Sequence, residues 1–377
     1  MIIYTKEKGN HDTYEFDHDK KTVTFEKSDF LVSASIVLYT EQDEKLIVNR
    51  YNDFKRIFNS ELVSLYKNRR WEGIKYFIRK VLNTHNFVFS ITNKSYVLAK
   101  ILFFTIMGRQ TYISRPGYSL SLISDLAKMK DDLVYPLLFT CNNVSDSNFK
   151  KLLKVVLNCP YYLTEFHNIL KQDVQQIYWG SKFDSYLAEL TKYNLQDQKM
   201  YDNYIAGFNF SNLVERFTSG SKNANYLGIT FVHDTEYVFT KEVMFQLGFS
   251  NITLEYKEKK ESSFLLLLDD LSKFFHMLIN DCFDIVNNNR LYDNELFNIL
   301  SYMITLVYQE NFEFQIPTSQ WSTLMGITDL CNDSVSAFYK RNDIVDNIIA
   351  YHYARINEYL KNHFDDKRAF AVFKNRV

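Results

Sequence analysis

The stretch Phe30-Leu31-Val32-Ser33-Ala34-Ser35-Ile36-Val37-Leu38 places an apolar side chain at every second position, starting from Phe30. Apolar residues at period two predict a β-strand. The segment Thr22–Phe25 alternates in the same way, and residues 45–48 form a further short apolar run after the polar segment 41–44. Together these segments predict a small antiparallel meander near the N-terminus, in which residues 41–44 form a turn.

The apolar period changes from two to that of a helix at Asp53, and stays helical over most of the chain. Residues 219–225 are rich in Gly, Ser and Asn and predict a linker. After it, residues 227–232 and 252–256 are typical of strands, and the apolar stripes from residue 262 onward are typical of a helical bundle. The stripes are Phe264, Leu267, Leu268, Leu271, Phe275 and Ile279; then Leu296, Ile299, Leu300, Met303 and Leu306; then Ile344, Ile348, Ile349, Ile356, Tyr359 and Leu360.

We therefore predict a predominantly helical α+β fold, with an N-terminal antiparallel meander, a short β insertion near residues 226–257 and a C-terminal helical bundle. The predicted divisions are residues 1–110 (meander plus helices), 111–218 (helical) and 219–377 (β segment followed by bundle). Length alone is compatible with two or three domains of about 150 residues each, or with one large domain.

The composition restricts the classes of function. The chain has 32 Phe and 27 Tyr but only 10 Gly and 4 Pro, and its glycines form neither a phosphate-binding loop nor a dinucleotide fingerprint. The net charge is −1, so any attraction to polyanions must come from a local patch. Four widely spaced cysteines predict a reduced, cytoplasmic protein, and no apolar run reaches the length of a membrane span. We predict no metal site and no cofactor, apart from Mg²⁺ if the chain is a nuclease.

A basic cluster interleaved with aromatic residues lies between residues 67 and 80. Such a cluster binds phosphate groups, whether those of lipids or of nucleic acids. The alternative is an ordinary solvated helix face. The basic residues are Lys67, Arg69, Arg70, Lys75, Arg79 and Lys80, and the aromatic ones are Trp71 and Tyr76.

A nuclease-like pattern is the strongest catalytic candidate. Asp234 follows a predicted strand, and Glu255 and Lys257 end the next one. Residues two apart on a strand point to the same face, so Glu255 and Lys257 could act together. Metal-dependent nucleases of the PD-(D/E)xK type hold Mg²⁺ between such carboxylates, and the lysine assists the attacking water. The alternative is a mixed-charge strand end that occurs by chance.

Residues 21–105 resemble a phox-homology (PX) domain, the phosphoinositide-binding module of sorting nexins. The family has a meander that runs into an Arg-Tyr/Phe-x-Asp/Glu-Phe motif, and Arg50-Tyr51-Asn52-Asp53-Phe54 matches that motif here. The resemblance implies that Arg50 holds the lipid 3-phosphate and that Tyr51 packs under the inositol ring. It also implies that Arg70 binds ring hydroxyls or a further phosphate, with Lys67 as a candidate for the phosphate-gripping lysine.

These patterns favour binding over catalysis. We expect a scaffold or assembly protein that has a protein partner or self-associates, and that has an anion-binding patch near residues 50–80. The preference for Phe, Tyr, Asn and Ile fits AT-rich coding and indicates a virus, a mobile element or an AT-rich microbe. A nuclease and a phosphoinositide-binding membrane adaptor are the two alternatives.

Overall fold

The computed structural model describes residues 1–9, 14–17, 19–25, 29–82, 86–100, 145–158, 228–234, 253–287 and 312–316, with shorter pieces between 102 and 320. Within these residues the strands are β1 (Ile2–Lys8), β2 (Tyr14–Asp17), β3 (Thr22–Phe25), β4 (Phe30–Leu38), β5 (Phe87–Asn93), β6 (Thr230–Asp234), β7 (Thr253–Lys257) and β8 (Phe312–Gln315). The helices with defined ends are α1 (Glu41–Phe58), α2 (Leu62–Lys67), α3 (Trp71–Lys80), α4 (Asp146–Asn158) and α5 (Ser263–Asn287). The fold is α+β.

Six of the described strands form one mixed sheet in the order β7–β6–β1–β4–β5–β8. Strand β4 is antiparallel to both of its neighbours, β1 and β5. The three outer pairings, β1 with β6, β6 with β7 and β5 with β8, are parallel. Every strand of this sheet except β4 therefore points in the same direction, and their carboxyl ends lie at one edge.

The predicted meander is wrong in two respects. Strand β3 pairs with β2 in a separate two-stranded ribbon, while β4 pairs with β1 and β5. Residues 45–48 are not a strand but part of α1, which begins after Thr40. Thr40 and Asp43 form a capping box, in which each side chain accepts a hydrogen bond from the other's backbone N–H. The polar segment 41–44 is thus the first turn of a helix rather than a β-turn.

The main core lies between one face of the sheet and the helices α1, α2, α3 and α5. Helix α5 crosses this face, and its phenylalanines contact aromatic rings from three strands. The ring pairs are Tyr4 with Phe264 (4.9 Å), Phe89 with Phe275 (5.4 Å) and Phe30 with Phe283 (4.8 Å). The aromatic-rich composition is therefore used for helix-on-sheet packing.

The opposite face of the sheet is buried too, although it carries many polar side chains. All nine residues of β4 are buried, including Ser33 and Ser35 between the apolar positions of the opening stretch. The Thr5 and Ser35 hydroxyls share a hydrogen bond of 2.6 Å across β1 and β4. We call this the polar face; its described members are Thr5, Glu7, Ser33, Ser35, Ser90, Thr92 and His233, all of them buried.

The predicted strands near residues 226–257 are confirmed as β6 and β7, but they are part of the main sheet. One sheet is thus built from both of the predicted segments 1–110 and 219–377. The first stripe of the predicted bundle lies on α5, whereas the stripe at 344–360 and most of segment 111–218 lie outside the described residues. No helix among the described residues combines the length and the apolar character needed to cross a membrane.

Candidate functional site

A tight turn between α2 and α3 carries three basic residues that lie close together in the sequence. Lys67, Arg69 and Arg70 are all exposed to solvent. We call these three residues the basic turn. The Arg69 N–H donates to the Tyr66 carbonyl (3.0 Å), and the Arg70 N–H donates to the Leu65 carbonyl (2.8 Å). This pair of bonds is a Schellman motif, which fixes the backbone at the end of a helix.

Arg69 occupies the left-handed position of that motif, with φ of 52°. Helix ends usually place glycine there, because a side chain at positive φ meets steric resistance. Lys21 and Asn59 are further non-glycine residues at positive φ, so Arg69 is not the sole position where this glycine-poor chain has a larger residue in that conformation. The hydrogen bonds of the motif fix the backbone at Arg69, so the charged guanidinium group extends from a defined position.

The short helix beneath the basic turn is anchored to α5. The buried Asp270 carboxylate accepts hydrogen bonds from the backbone N–H groups of Leu62 (2.7 Å) and Val63 (3.1 Å), so it caps α2 from another helix. Tyr66 donates its hydroxyl to Asp281 (2.6 Å), and its ring packs edge-on against Phe274 (5.6 Å). These contacts fix the base on which the turn is built.

A close approach of the next helix completes this support. A Cβ added at Gly73 would come within 2.8 Å of a Leu65 side-chain carbon, so α3 packs closely against α2 at this glycine. Trp71 contacts the edge of the Tyr66 ring at 5.8 Å and is half-buried. Trp71 is thus part of the support of the turn.

The structure divides the predicted basic cluster into separate groups. Arg79 and Lys80 are exposed at the far end of α3, about 14 Å of helix rise from Arg70. Lys75 is mostly buried and forms ion pairs with Glu295 (3.0 Å) and Glu72 (3.7 Å). Of the predicted phosphate ligands between 67 and 80, only the basic turn forms a compact group.

Arg50 and Tyr51, assigned by the PX resemblance, both lie on α1 rather than at the end of a strand. Tyr51 is buried, and its ring lies 6.4 Å from that of Phe54 and 6.5 Å from that of Phe77. Burial, followed by the nearby carboxylates of Asp270 and Glu61, raises the pKa of the Tyr51 hydroxyl far above its usual value. Tyr51 contributes to the core, and a lipid-binding role for Arg50 and Arg70 stays a prediction.

The three residues of the nuclease hypothesis lie on neighbouring parallel strands but in different surroundings. Asp234 of β6 lies beside Lys257 of β7 in the strand register, and Glu255 lies beside Val232. Glu255 and Lys257 are exposed and pair with each other at 3.6 Å. Asp234 is buried and pairs with Lys6. Among the described residues no group of three or more His, Cys, Asp or Glu side chains is arranged to hold a metal ion, and the nuclease activity stays a prediction.

Asp234 is one member of a buried charge cluster that the sequence patterns did not reveal. We define the buried charge cluster as Lys6, Glu7, His233 and Asp234, which lie at the carboxyl ends of β1 and β6. Lys6 binds the Asp234 carboxylate, and the His233 ring Nε2 lies 2.7 Å from a Glu7 carboxylate oxygen. Each of the four side chains is at most 4% exposed.

The charges within the cluster stabilise one another. Burial alone would lower the pKa of His233, but the Glu7 and Asp234 carboxylates raise it to about 9. Burial would likewise raise the pKa of Asp234, yet hydrogen bonds from His233 and Lys6 lower it to about 2. At neutral pH the cluster therefore contains two cations and two anions, and its net charge is zero.

One signal in the sequence could have pointed to this cluster. The segments Lys6-Glu7-Lys8 and His233-Asp234 place consecutive ionisable residues at the ends of two strands whose other residues are apolar or threonine. Their meeting depends on the parallel pairing of β1 with β6, which joins residues far apart in the chain.

No family model, curated protein or solved structure matches this chain.

Proposed function

We propose that this protein is a non-catalytic binding protein whose basic turn binds phosphate groups of a polyanionic partner. The observation that carries the proposal is the position of Arg69 at a left-handed helix end, between exposed Lys67 and Arg70. Cations on a fixed backbone lose less conformational entropy when they bind than cations on a mobile loop. Arginine also binds phosphate through two parallel hydrogen bonds.

The charge balance of the chain makes the binding local. Because the whole protein carries a net charge of −1, a polyanion is attracted only where cations are concentrated. Acidic side chains lie near the turn, since Glu72 is in the first turn of α3 and Asp281 accepts a hydrogen bond from Tyr66 of α2. The positive region is therefore expected to be narrow. We therefore expect modest affinity with a strong dependence on salt, since the Debye length is only about 8 Å at physiological ionic strength.

The direct test is a charge reversal, Lys67→Glu with Arg70→Glu, in the full chain. The probe is a fluorescein-labelled single-stranded oligonucleotide, and binding is followed by fluorescence anisotropy over a series of salt concentrations. We expect an affinity loss of about tenfold or more, and a salt dependence that is weaker by about 1.4 in the log–log slope, since two phosphate contacts are removed. The matched control is Lys20→Glu with Lys21→Glu on the β2–β3 ribbon, which reverses the same charge elsewhere and should leave binding unchanged.

A second arm identifies the source of the phosphate. Vesicles of phosphatidylcholine, with and without phosphatidylinositol 3-phosphate, replace the oligonucleotide in a flotation assay. Flotation that depends on both the phosphoinositide and Arg70 would favour the lipid, whereas oligonucleotide binding without flotation would favour nucleic acid. Equal binding by wild type and the reversed variant in both arms would refute the proposal.

A role in assembly is part of the same proposal. A scaffold needs a partner or a second copy of itself. Light scattering coupled to size-exclusion chromatography, with and without the oligonucleotide, measures this directly. A protein that stays monomeric in both conditions would restrict the function to binding the polyanion.

A further inference from the structure

Helix α1 has a row of side chains along one flank, beside its buried face. We call this row the α1 stripe; its members are Leu46, Arg50, Asp53 and Ile57. Residues spaced by four, three and four positions point in directions that differ by only about 60° around a helix. This is also the spacing along which two helices pack side by side.

Both ends of the α1 stripe are apolar and open to solvent. Leu46 is 42% exposed and Ile57 is 53% exposed, about 16 Å apart along the helix. A single exposed apolar side chain on a surface needs no explanation. Among the described helical residues, however, the exposed large apolar side chains are Leu46, Ile57 and Leu266, and two of these three lie on this one stripe.

The centre of the α1 stripe carries charges of opposite sign. Arg50 is half-buried, whereas Asp53 is exposed and pairs with Arg56 at 2.9 Å. Apolar groups at both ends and one charge of each sign between them make a surface that can match a copy of itself.

The order of the residues decides how two copies would match. Arg50 and Asp53 are equally far in sequence from the midpoint of the stripe, and so are Leu46 and Ile57. If two α1 helices pack antiparallel about a two-fold axis, Leu46 meets the partner's Ile57 and Arg50 meets the partner's Asp53, each contact occurring twice. A parallel arrangement would place like charges together, which opposes association.

We propose that the α1 stripe is a docking surface for the α1 helix of a second copy of this chain, in an antiparallel two-fold dimer. The apolar ends lose water against each other, and the two Arg50–Asp53 pairs fix the register. This gives a definite partner to the assembly role and in that respect rests on the proposed function. One helix pair makes a small interface, so we expect a dissociation constant on the order of 10 μM.

The test is sedimentation velocity on the full chain, over concentrations from well below to well above this value. The wild type should shift from monomer to dimer, and Leu46→Lys should weaken the dimer by about tenfold or more, since both copies lose an apolar contact. Leu266→Lys is the matched control, because Leu266 is equally exposed (42%) but lies on α5, and it should dimerise as the wild type does. A wild type that stays monomeric, or equal dimerisation by all three proteins, would overturn the proposal.

Two charge variants test the antiparallel register. Arg50→Asp and Asp53→Arg each place like charges opposite each other, so each variant alone should be monomeric. An equimolar mixture should form a mixed dimer, because every charge of one variant then meets the opposite charge of the other. Misfolding of a variant cannot produce this recovery. A mixture that stays monomeric while the wild type dimerises would refute the register, and the Leu46→Lys result does not depend on these variants.

The dimer and the phosphate binding can fail separately. The charge-reversed basic turn, Lys67→Glu with Arg70→Glu, lies off the α1 stripe and should dimerise as the wild type does. Dimerisation without any binding of the oligonucleotide would support this inference and refute the proposed role of the basic turn. Binding of the oligonucleotide by a chain that never dimerises would refute the inference and leave that role intact.

Discussion

The basic turn and the buried charge cluster use similar side chains in opposite surroundings. The basic turn is exposed, has a net positive charge and lies on a backbone that other residues hold in place. The buried charge cluster is closed to solvent, has no net charge and joins two strands that are far apart in sequence. In water a charge contributes little to folding, whereas in the interior each charge depends on its partner.

This difference separates stability from binding. Changes in the buried charge cluster should alter the free energy of unfolding strongly, because any lost partner leaves a buried ion uncompensated. Changes in the basic turn should alter phosphate binding while stability stays nearly constant.

The largest effect is expected for Lys6→Ala. This change leaves the Asp234 carboxylate buried without its cation, and breaking a buried pair from one side typically costs about 3–5 kcal/mol. Urea unfolding followed by circular dichroism measures the free energy of unfolding. The matched control is Lys257→Ala, which removes the exposed partner of Glu255 (3.6 Å) and should cost at most about 1 kcal/mol. If the two variants were equally stable, burial would not be what distinguishes the two regions.

The next effect is a loss of stability at alkaline pH. His233 has its pKa raised from 6.5 to about 9 in the folded state, so its contribution is complete below pH 6.5 and is lost as the pH rises through about 9. The loss should reach at most about 3 kcal/mol. Asp234, whose pKa is lowered from 3.8 to about 2, contributes above pH 3.8 and loses its contribution only as the pH falls through about 2. The cluster thus stabilises the fold most between pH 3.8 and 6.5.

Urea unfolding at a series of pH values, with His233→Gln beside the wild type, isolates this effect. The variant should be less stable at acidic pH and should approach the wild type as the pH rises past about 9. The difference between the two proteins is the quantity to compare, because it removes the titration of other groups. A difference that stays constant over this range would show that His233 is not charged in the folded protein.

The sequence predicted the elements of the fold better than their pairing. The strand β4 was predicted from its alternation, and β6 and β7 were predicted within a few residues. The segment 45–48 was assigned to a strand although it is helical, because four apolar-rich residues fit both the strand period of two and the helical period of about 3.6. Only the longer spacing of Ile47, Tyr51 and Phe54, all of them buried, indicates the helix. The pairing of β1 with β6 could not be predicted, since local periodicity carries no information about distant partners.

The candidate sites show the same limit. The basic turn lies within the predicted patch, because clustered cations are visible in a sequence. The burial of Lys75 against Glu295 was not predicted. Asp234 was selected for a pairing with Glu255 and Lys257, and the structure joins it to Lys6 instead. Side-chain partners across a sheet follow from register, and register follows from tertiary structure.

A medium effect is expected for Asp270→Ala, which connects the two regions. Asp270 is a buried charge, but the groups it holds are the N–H donors of Leu62 and Val63, at the start of the helix that leads into the basic turn. Losing this cap should cost about 1–2 kcal/mol. Phosphate binding should also weaken, because α2 would no longer be fixed. The control Asp53→Ala removes an exposed carboxylate paired with Arg56 and should change neither quantity measurably. Unchanged binding in Asp270→Ala would show that the cations act without a fixed backbone.

The smallest change in stability, and the sharpest test of the separation, is expected for Arg69→Gly. Glycine adopts the φ of 52° without steric strain, so the variant should be more stable than the wild type by about 0.5–1 kcal/mol, less the entropy that glycine loses on folding. The same change removes a central cation from the basic turn and should weaken oligonucleotide binding several-fold. Lys21→Gly is the matched control, because Lys21 also lies at positive φ (54°) and is also an exposed cation. It should gain similar stability and keep full binding. A gain in stability without a loss of binding in Arg69→Gly would mean that arginine occupies this position only because the chain uses little glycine, and that the basic turn is a helix end rather than a binding site.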